Sequence, residues 1–213
     1  MPKVTYADKV DSLLNPLPAR NKVLARDMNE IKNSINTLYD SFPAGIEEYI
    51  IVDTLEDLPD PIEGVINLNA STAYFFVNEL DLVGNRMVGS SNTTLLGTSS
   101  ETSIITSTGL GVGVPLFSTS FTTPIRHIAF KDVDTAISIT EAGNSAAYDW
   151  LGVNFVNVPN IGTLGGGGNF IILNCAILNS KGLIFTGTWG TIGIDSCLFS
   201  GDGAVGTLIS INP

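Results

Sequence analysis

The order of apolar and polar positions after residue 64 is that of many short β-strands. Apolar runs rich in β-branched and aromatic residues follow one another, and Gly, Asn, Asp or Ser turns separate nearly all of them. The apolar spacing of three and four residues that marks an amphipathic helix does not occur in this region. Residues 64–213 are therefore predicted to be all-β.

Four of these runs repeat one pattern at a nearly fixed spacing. They begin at Ile128, Val153, Cys175 and Cys197, and so advance by 25, 22 and 22 residues. Each run reads apolar, variable, large apolar, variable, and then Asp, Asn or Gly. A period near 22 built from short strands is the signature of a β-solenoid, in which each repeat forms one coil. We therefore expect a parallel β-helix. A β-sandwich, the alternative, would not explain the shared spacing.

The repeat predicts which side chains stack inside the β-helix. The two Cys residues take the same inward place in successive coils, so buried free thiols are expected rather than a disulfide. A metal site is disfavoured further, because the chain has one His and no CxxC pair. The predicted core stacks are Ile128, Val153, Cys175 and Cys197 in one column, and Phe130, Phe155, Ile177 and Phe199 in the other. The column Asp132, Asn157, Asn179 and Gly201 is predicted to lie at a left-handed turn and to form a hydrogen-bonded ladder.

The first 63 residues have a different organisation. In residues 1–20, Pro16 and Pro18 prevent a continuous helix, and an extended strap is expected. Residues 46–63 are predicted to form a junction and N-terminal cap, with a strand at Tyr49–Val52 followed by a turn that closes on Pro59 and Pro61. The β-helix of residues 64–213 has no evident C-terminal cap, which suggests either a partner over that end or a longer parent protein.

Residues 21–45 carry a heptad pattern and are predicted to form a short helix that ends at Pro43 and Gly45. One amphipathic helix packed on its own domain would explain the pattern. A narrow stripe placed before a solenoid favours a coiled coil between identical chains instead. The predicted oligomerisation residues are Leu24, Met28, Ile31, Ile35, Leu38 and Phe42.

Composition and charge exclude several classes of function. The 213 residues carry a net charge of −11, and the acidic excess falls after residue 45, which argues against binding to nucleic acid. No apolar run is long enough to span a membrane, and residues 1–9 lack a secretory signal, so we expect a protein made in a cytoplasm.

The outward residues predicted from the sequence do not form a convincing catalytic site. The outward strand columns are predicted to be His127, Gly152, Asn174 and Ser196, and Ala129, Asn154, Ala176 and Leu198, none of which is an acid. A face this small and flat suits packing against a neighbouring chain. Asp134 and Asp149 are expected at turns. Gly165–Gly168 lacks the Lys that a phosphate loop requires. Trp150 and Trp189, expected beside turns, are the candidate glycan contacts. No cofactor is predicted.

A proline-broken leader, a heptad helix, the acidic segment Val52–Pro59, the strand Gly64–Leu68 and a Ser/Thr/Gly-rich β-helix together resemble the front portion of bacteriophage tail spikes and related virion appendages. The resemblance covers nearly the whole chain as an architecture. It implies a homotrimer, attachment to other virion proteins through residues 1–45, location in the virion and a distal part that faces the host.

The function expected from these features is that of a non-enzymatic structural or adhesion protein of a phage particle, with host surface glycan as a candidate partner. A polysaccharide lyase or hydrolase of the tail-spike type is the alternative, which the missing outward acid pairs disfavour. A bacterial cell-surface adhesin is the third option, which the missing signal peptide disfavours.

Overall fold

The computed structural model describes residues 45–121, 123–140, 147–166, 168–187, 189–201 and 209–212. The chain divides into two units, Met1–Gly45 and Ile46–Pro213, and the description covers the second unit and Gly45. The strap predicted for residues 1–20 and, except for Gly45, the heptad helix predicted for residues 21–45 therefore lie outside the described residues.

The second unit is a parallel β-solenoid of about six turns, as the repeat predicts. Its strands form three parallel sheets, which we number in the order in which each complete coil visits them. Sheet 1 contains β1 (Glu48–Val52), β3 (Thr72–Phe76), β6 (Thr94–Gly97), β9 (Ile125–Arg126), β12 (Ala147–Leu151), β15 (Gly168–Leu173) and β18 (Trp189–Asp195). Sheet 2 contains β4 (Leu80–Asp81), β7 (Ile104–Thr106), β10 (Ala129–Lys131), β13 (Asn154–Val156), β16 (Ala176–Leu178) and β19 (Leu198–Ser200). Sheet 3 contains β2 (Val65–Asn67), β5 (Arg86–Gly89), β8 (Pro115–Thr119), β11 (Thr135–Ile139), β14 (Asn160–Gly165), β17 (Leu183–Thr186) and β20 (Ile209–Asn212).

The pairing of strands in sheet 2 agrees with the alignment made from the sequence. Phe130 pairs with Phe155, Phe155 with Ile177, and Ile177 with Phe199. The same column continues backwards through Ile105 to Leu80, at intervals of 25 residues. The repeat was not recognised in these two coils because the residues after Leu80 and Ile105 differ in type from those of the later copies.

Corners between sheets are made by residues with left-handed backbone. Between sheets 2 and 3, Asp132, Asn157 and Asn179 have φ values of 53°, 56° and 49°. Asn and Asp adopt this conformation more readily than other residues with a Cβ atom. Asn157 donates from Nδ2 to Asp132 Oδ1 at 2.8 Å, and Asn179 donates to Asn157 Oδ1 at 3.3 Å. The predicted turn column is therefore a ladder that joins three coils, but the prediction is wrong for its fourth member, Gly201, whose backbone is not left-handed.

Hydroxyl side chains add further links between coils, and they account for much of the Ser and Thr content. In each case the hydroxyl donates to a backbone carbonyl of the preceding coil and so satisfies an acceptor that the sheet ladders leave free. The pairs are Ser90 with Leu68, Thr93 with Asn69, Ser103 with Phe76, and Ser107 with Asn85, at 2.7–3.1 Å.

The core lies inside the three sheets and is a stack of apolar columns. Ile128, Val153, Phe130 and Phe155 are at most 1% exposed, and Cys175 and Ile177 are 2% exposed. Phe130 and Phe155 stack with their ring centroids 5.7 Å apart. Phe199 keeps the register of its column but is 43% exposed, contrary to the expectation of burial. The reason is that β19 is the outermost strand of sheet 2.

Both cysteines are free, and their environments differ. Cys175 is buried, and burial raises the pKa of its thiol to about 12. The amide of Val153 donates to Cys175 Sγ at 3.3 Å. Cys197 is only partly buried, so the prediction of two buried thiols is wrong for this residue. Like Phe199, it belongs to the last described coil and has core on one side only.

The N-terminal end of the solenoid is closed by residues that the sequence assigned to the junction. β1 pairs with β3, so the solenoid begins before residue 64, where it was expected to start. After β1, a 3₁₀ turn at Leu55–Asp57 is capped by Asp57, whose Oδ2 accepts from the amides of Asp53 and Thr54. Leu58 follows and is buried with the core.

Candidate interaction surface

The outward faces of the three sheets are the surfaces on which a solenoid can hold a partner or a substrate. Strand pairing fixes which side chains share a face, because inward and outward positions alternate along each strand. The three faces differ in chemistry, and only part of that difference was predicted.

The column His127, Gly152, Asn174 and Ser196 was expected on an outward strand face, and this expectation is wrong. These residues form the corner between sheets 1 and 2, with φ values of 58°, 63°, 53° and 55°. The runs Ile125–Phe130 and Leu151–Val156 were predicted as continuous strands, whereas His127 and Gly152 form a corner inside them. A Cβ atom on Gly152 would lie 2.7 Å from His127 Nδ1, so successive corner residues are stacked closely. His127 is exposed at this corner.

The outward face of sheet 2 contains the second expected column, Ala129, Asn154, Ala176 and Leu198. Ala129 is buried, Asn154 and Ala176 are half-buried, and Leu198 is 59% exposed. Asn154 Nδ2 donates to Ser100 Oγ at 2.8 Å, and Asn154 Oδ1 accepts from the amide of Ala176 at 3.0 Å. The polar group of this column is thus engaged in the fold.

Sequence reasoning missed several further outward columns, although their strands were recognised, and two of them have seven members each. The column of sheet 1 is mostly bulky and apolar, and it consists of Ile51, Phe75, Leu96, Arg126, Leu151, Leu173 and Asp195. The column of sheet 3 is mostly small and hydroxylated, and it consists of Asn67, Val88, Ser118, Ser138, Thr163, Ile184 and Ser210. The signal that could have found them is the register, which fixes both columns once neighbouring coils are aligned.

The two tryptophans expected to contact glycan are parts of the core rather than exposed residues. Trp150 lies in β12, is fully buried, and contacts Phe170 edge to face with ring centroids 4.9 Å apart. Trp189 is partly buried and packs on Phe170 and Phe185. The expectation of an exposed Trp150 is wrong because β12 extends from Ala147 to Leu151, so Trp150 falls within a strand rather than beside a turn.

Several carboxylates hold the backbone of turns. Asp134 Oδ2 accepts from the amide of Gly113 at 2.7 Å. Asp81 Oδ1 accepts from the amides of Val83 and Thr108, both at 2.8 Å. Burial raises the pKa of Asp81, but hydrogen bonds from Thr108 and Val83 outweigh this and lower the pKa. The pKa of Asp57 is lowered by the backbone hydrogen bonds from Thr54 and Asp53. Asp149 lies in strand β12, not at the turn where it was expected.

A carboxylate held by backbone amides is stabilised in its ionised form, and this makes it a poor general acid. Asp57 and Asp81, whose pKa values are lowered in this way, therefore serve the turns that they cap. Within the described ranges, no group of three or more His, Cys, Asp or Glu side chains is placed to hold a metal ion.

Among the described residues, a crevice against the core has an apolar lining of Ile139, Leu164, Phe170 and Trp189, and it has no room for a water molecule. It is therefore too small to be a small-molecule site. Among the residues that the structure covers, no helix is long and apolar enough to cross a membrane. The heptad residues Leu24, Met28, Ile31, Ile35, Leu38 and Phe42 lie outside the described residues.

Comparison of the chain with protein-family models, with curated proteins and with solved structures finds no match.

Proposed function

We propose that the chain is a non-enzymatic structural or adhesion protein of a bacteriophage particle, in a tail spike or a fibre-like appendage. In this proposal residues 1–20 are an extended strap and residues 21–45 a short coiled coil, and together they anchor the chain to other virion proteins. Three identical chains present their β-helices side by side. The protein is made in the host cytoplasm and resides in the virion, and host surface glycan is a candidate partner.

The observation that carries this proposal is the regular solenoid together with the chemistry of its outward columns. The two long outward columns, one on sheet 1 and one on sheet 3, contain a single carboxylate, Asp195. Asp149 pairs with Ile171, which is exposed on the outward face of sheet 1, so a second outward column of this sheet contains a carboxylate residue two coils before Asp195. Glycoside cleavage generally uses two carboxyl groups held about 5–10 Å apart. A scaffold with outward apolar and hydroxyl side chains suits contact with other macromolecules better than acid–base chemistry.

Native mass measurement of the purified chain tests the assembly part of the proposal. The expected result is a trimer, and the double substitution Ile31→Asp with Ile35→Asp should convert it to monomers while the far-ultraviolet circular dichroism of the β-helix is retained. A monomeric wild-type chain at micromolar concentration would refute the assembly.

The functional part is tested on particles and on glycans. Immunogold labelling should place the chain on phage particles, and deletion of residues 1–20 should abolish its incorporation. Purified wild-type chain should leave capsule and lipopolysaccharide at full length. Shortened oligosaccharides that disappear in the Asp149→Asn variant would favour the tail-spike depolymerase instead.

A further inference from the structure

Exposed aliphatic side chains lie at one corner of the solenoid, where the chain enters sheet 3. Ile62 precedes β2, Val83 precedes β5 and Val112 precedes β8, and these strands are neighbours, so the three residues belong to successive coils at the N-terminal end. Their exposed fractions are 67%, 67% and 88%. We call these three residues the apolar ridge. In the next coils the same corner carries the polar ladder, so the apolar part is confined to the first coils.

The backbone at Val83 is unfavourable for the residue that occupies it. Val83 and Gly84 have φ values of 52° and 77°. The amide of Asn85 donates to the carbonyl oxygen of Leu82 at 3.0 Å, so the two residues between them form a left-handed turn. Such turns favour Asn, Asp and Gly and disfavour β-branched residues. Of the ten described non-glycine residues with positive φ, Val83 is the only β-branched one. An exposed apolar side chain is thus placed here at a cost in backbone energy.

The apolar ridge is too small to hold a separate protein by itself. Three aliphatic side chains make a patch of at most a few hundred Å², whereas a stable interface buries about 800 Å² on each partner. An occupant that is already tethered beside the ridge needs less contact area, because a tether raises its effective concentration to about the millimolar range. The described part of the chain begins at Gly45, directly after the segment for which a coiled coil between identical chains is proposed. That coiled coil supplies such a tether for the first coils of identical chains.

We propose that the apolar ridge packs against the apolar ridges of the other copies of this chain in the assembly. The inference rests on the proposed function, because the coiled coil of residues 21–45 is the tether. A corner, unlike a flat sheet face, lets the same residues of several chains meet around one symmetry axis. Burial of Val83 in this contact offsets the cost of its left-handed backbone. The polar ladder of the same corner stays in solvent, so the chains touch at their first coils.

Cross-linking of the full-length chain locates the contact. Val112→Cys and Glu101→Cys each place a thiol at an exposed turn of the same coil, after β7 and before β7 respectively. Cys197→Ser in both variants removes the partly buried native thiol. A short bismaleimide should join Val112→Cys chains to one another, with at least tenfold less product for Glu101→Cys. Denaturing electrophoresis after reaction at micromolar chain concentration measures the products.

Thermal unfolding of Val83→Asn separates the contact from the backbone effect. In the monomeric background of Ile31→Asp with Ile35→Asp, Val83→Asn should raise Tm by about 2–4 °C, because it relieves a left-handed Val. In the otherwise wild-type chain the same substitution should lower Tm, because it removes an apolar side chain from the contact between copies. A role of Val83 confined to its own chain would not change the sign between the two backgrounds.

Two outcomes would overturn the inference and leave the proposed assembly intact. A trimeric wild-type chain whose Val112→Cys and Glu101→Cys variants cross-link equally would show that the copies do not meet at the apolar ridge. An equal rise in Tm for Val83→Asn in both backgrounds would show that Val83 stays in solvent in the assembly. A monomeric wild-type chain would refute the assembly, and the contact at the apolar ridge with it.

Discussion

The interior stack predicts that one substitution has very different costs in different coils. Phe155 and Phe199 share a column of sheet 2, point inward and belong to equivalent strands. Phe155 is 1% exposed and packs between Phe130 and Trp150, with ring centroids 5.7 and 5.6 Å away. Phe199 is 43% exposed. We therefore compare Phe155→Ala with Phe199→Ala.

The magnitudes follow from burial. Phe155→Ala removes a fully buried ring and leaves an enclosed cavity, so it should lower the free energy of unfolding by about 3–5 kcal/mol. Phe199→Ala loses only roughly half of the transfer free energy of a phenyl ring and opens no closed cavity, so it should cost about 1–2 kcal/mol. Phe155→Leu, which keeps most of the volume, should cost under about 1.5 kcal/mol.

Urea unfolding followed by tryptophan fluorescence measures these costs, provided that the slope with urea is the same for the variants. In thermal unfolding, Phe155→Ala should lower Tm by about 6–20 °C, at ~2–4 °C per kcal/mol for a chain of this size. Equal losses for Phe155→Ala and Phe199→Ala would refute the reasoning, because burial would then not set the cost.

Three further predictions concern the backbone, the corner ladder and the thiols. Gly162→Ala should prevent folding or lower the free energy of unfolding by more than about 4 kcal/mol. The reason is that φ of Gly162 is 125° and that a Cβ atom there would lie 1.7 Å from the carbonyl oxygen of Ile137. Gly193→Ala is the control, with its nearest neighbour 3.8 Å away, and urea unfolding of the two should differ clearly. Asn157→Ala should lower the free energy of unfolding by about 2 kcal/mol, because it removes the ladder hydrogen bonds and places Ala in left-handed backbone. Asn157→Gly should cost less, because Gly adopts this backbone without strain. Equal costs for the two variants would show that only the ladder hydrogen bonds matter. At pH 8, Ellman's reagent should label Cys197 before Cys175. The raised pKa of Cys175 contributes stability that is complete below pH 9.0 and is lost as the pH rises towards about 12, so Cys175→Ala should flatten that alkaline decline.

The β-solenoid fold of the second unit could be predicted from the sequence because the repeat fixes how successive coils align. Aligning Phe130, Phe155 and Ile177, which lie 25 and 22 residues apart, predicted the pairing of sheet 2, and the Asp or Asn two residues after each of them predicted the corner. Burial at the last coil could not be inferred the same way. Phe199 has the same sequence pattern as Phe155, and its exposure depends on what lies on the other side of β19.

The outward surfaces were harder to predict, for a local reason. A left-handed residue between two short strands looks like part of one longer strand, so His127 and Gly152 were assigned to a face instead of a corner. Trp150 was likewise predicted beside a turn, whereas it lies within β12. Dihedral angles at single residues, which residue type only weakly constrains, decide these assignments.

The hydroxyl links and the corner ladder, like the sheet hydrogen bonds, run along the long axis of the solenoid. A pulling force along that axis would act equally on every boundary between coils. The coils would therefore separate first at the weakest boundary. Within one boundary the three sheets share the load in parallel, so a local defect need not release the whole coil. Compression along the axis instead presses the stacked rings of Phe130 and Phe155 together. The solenoid is thus expected to resist compression along its axis better than tension.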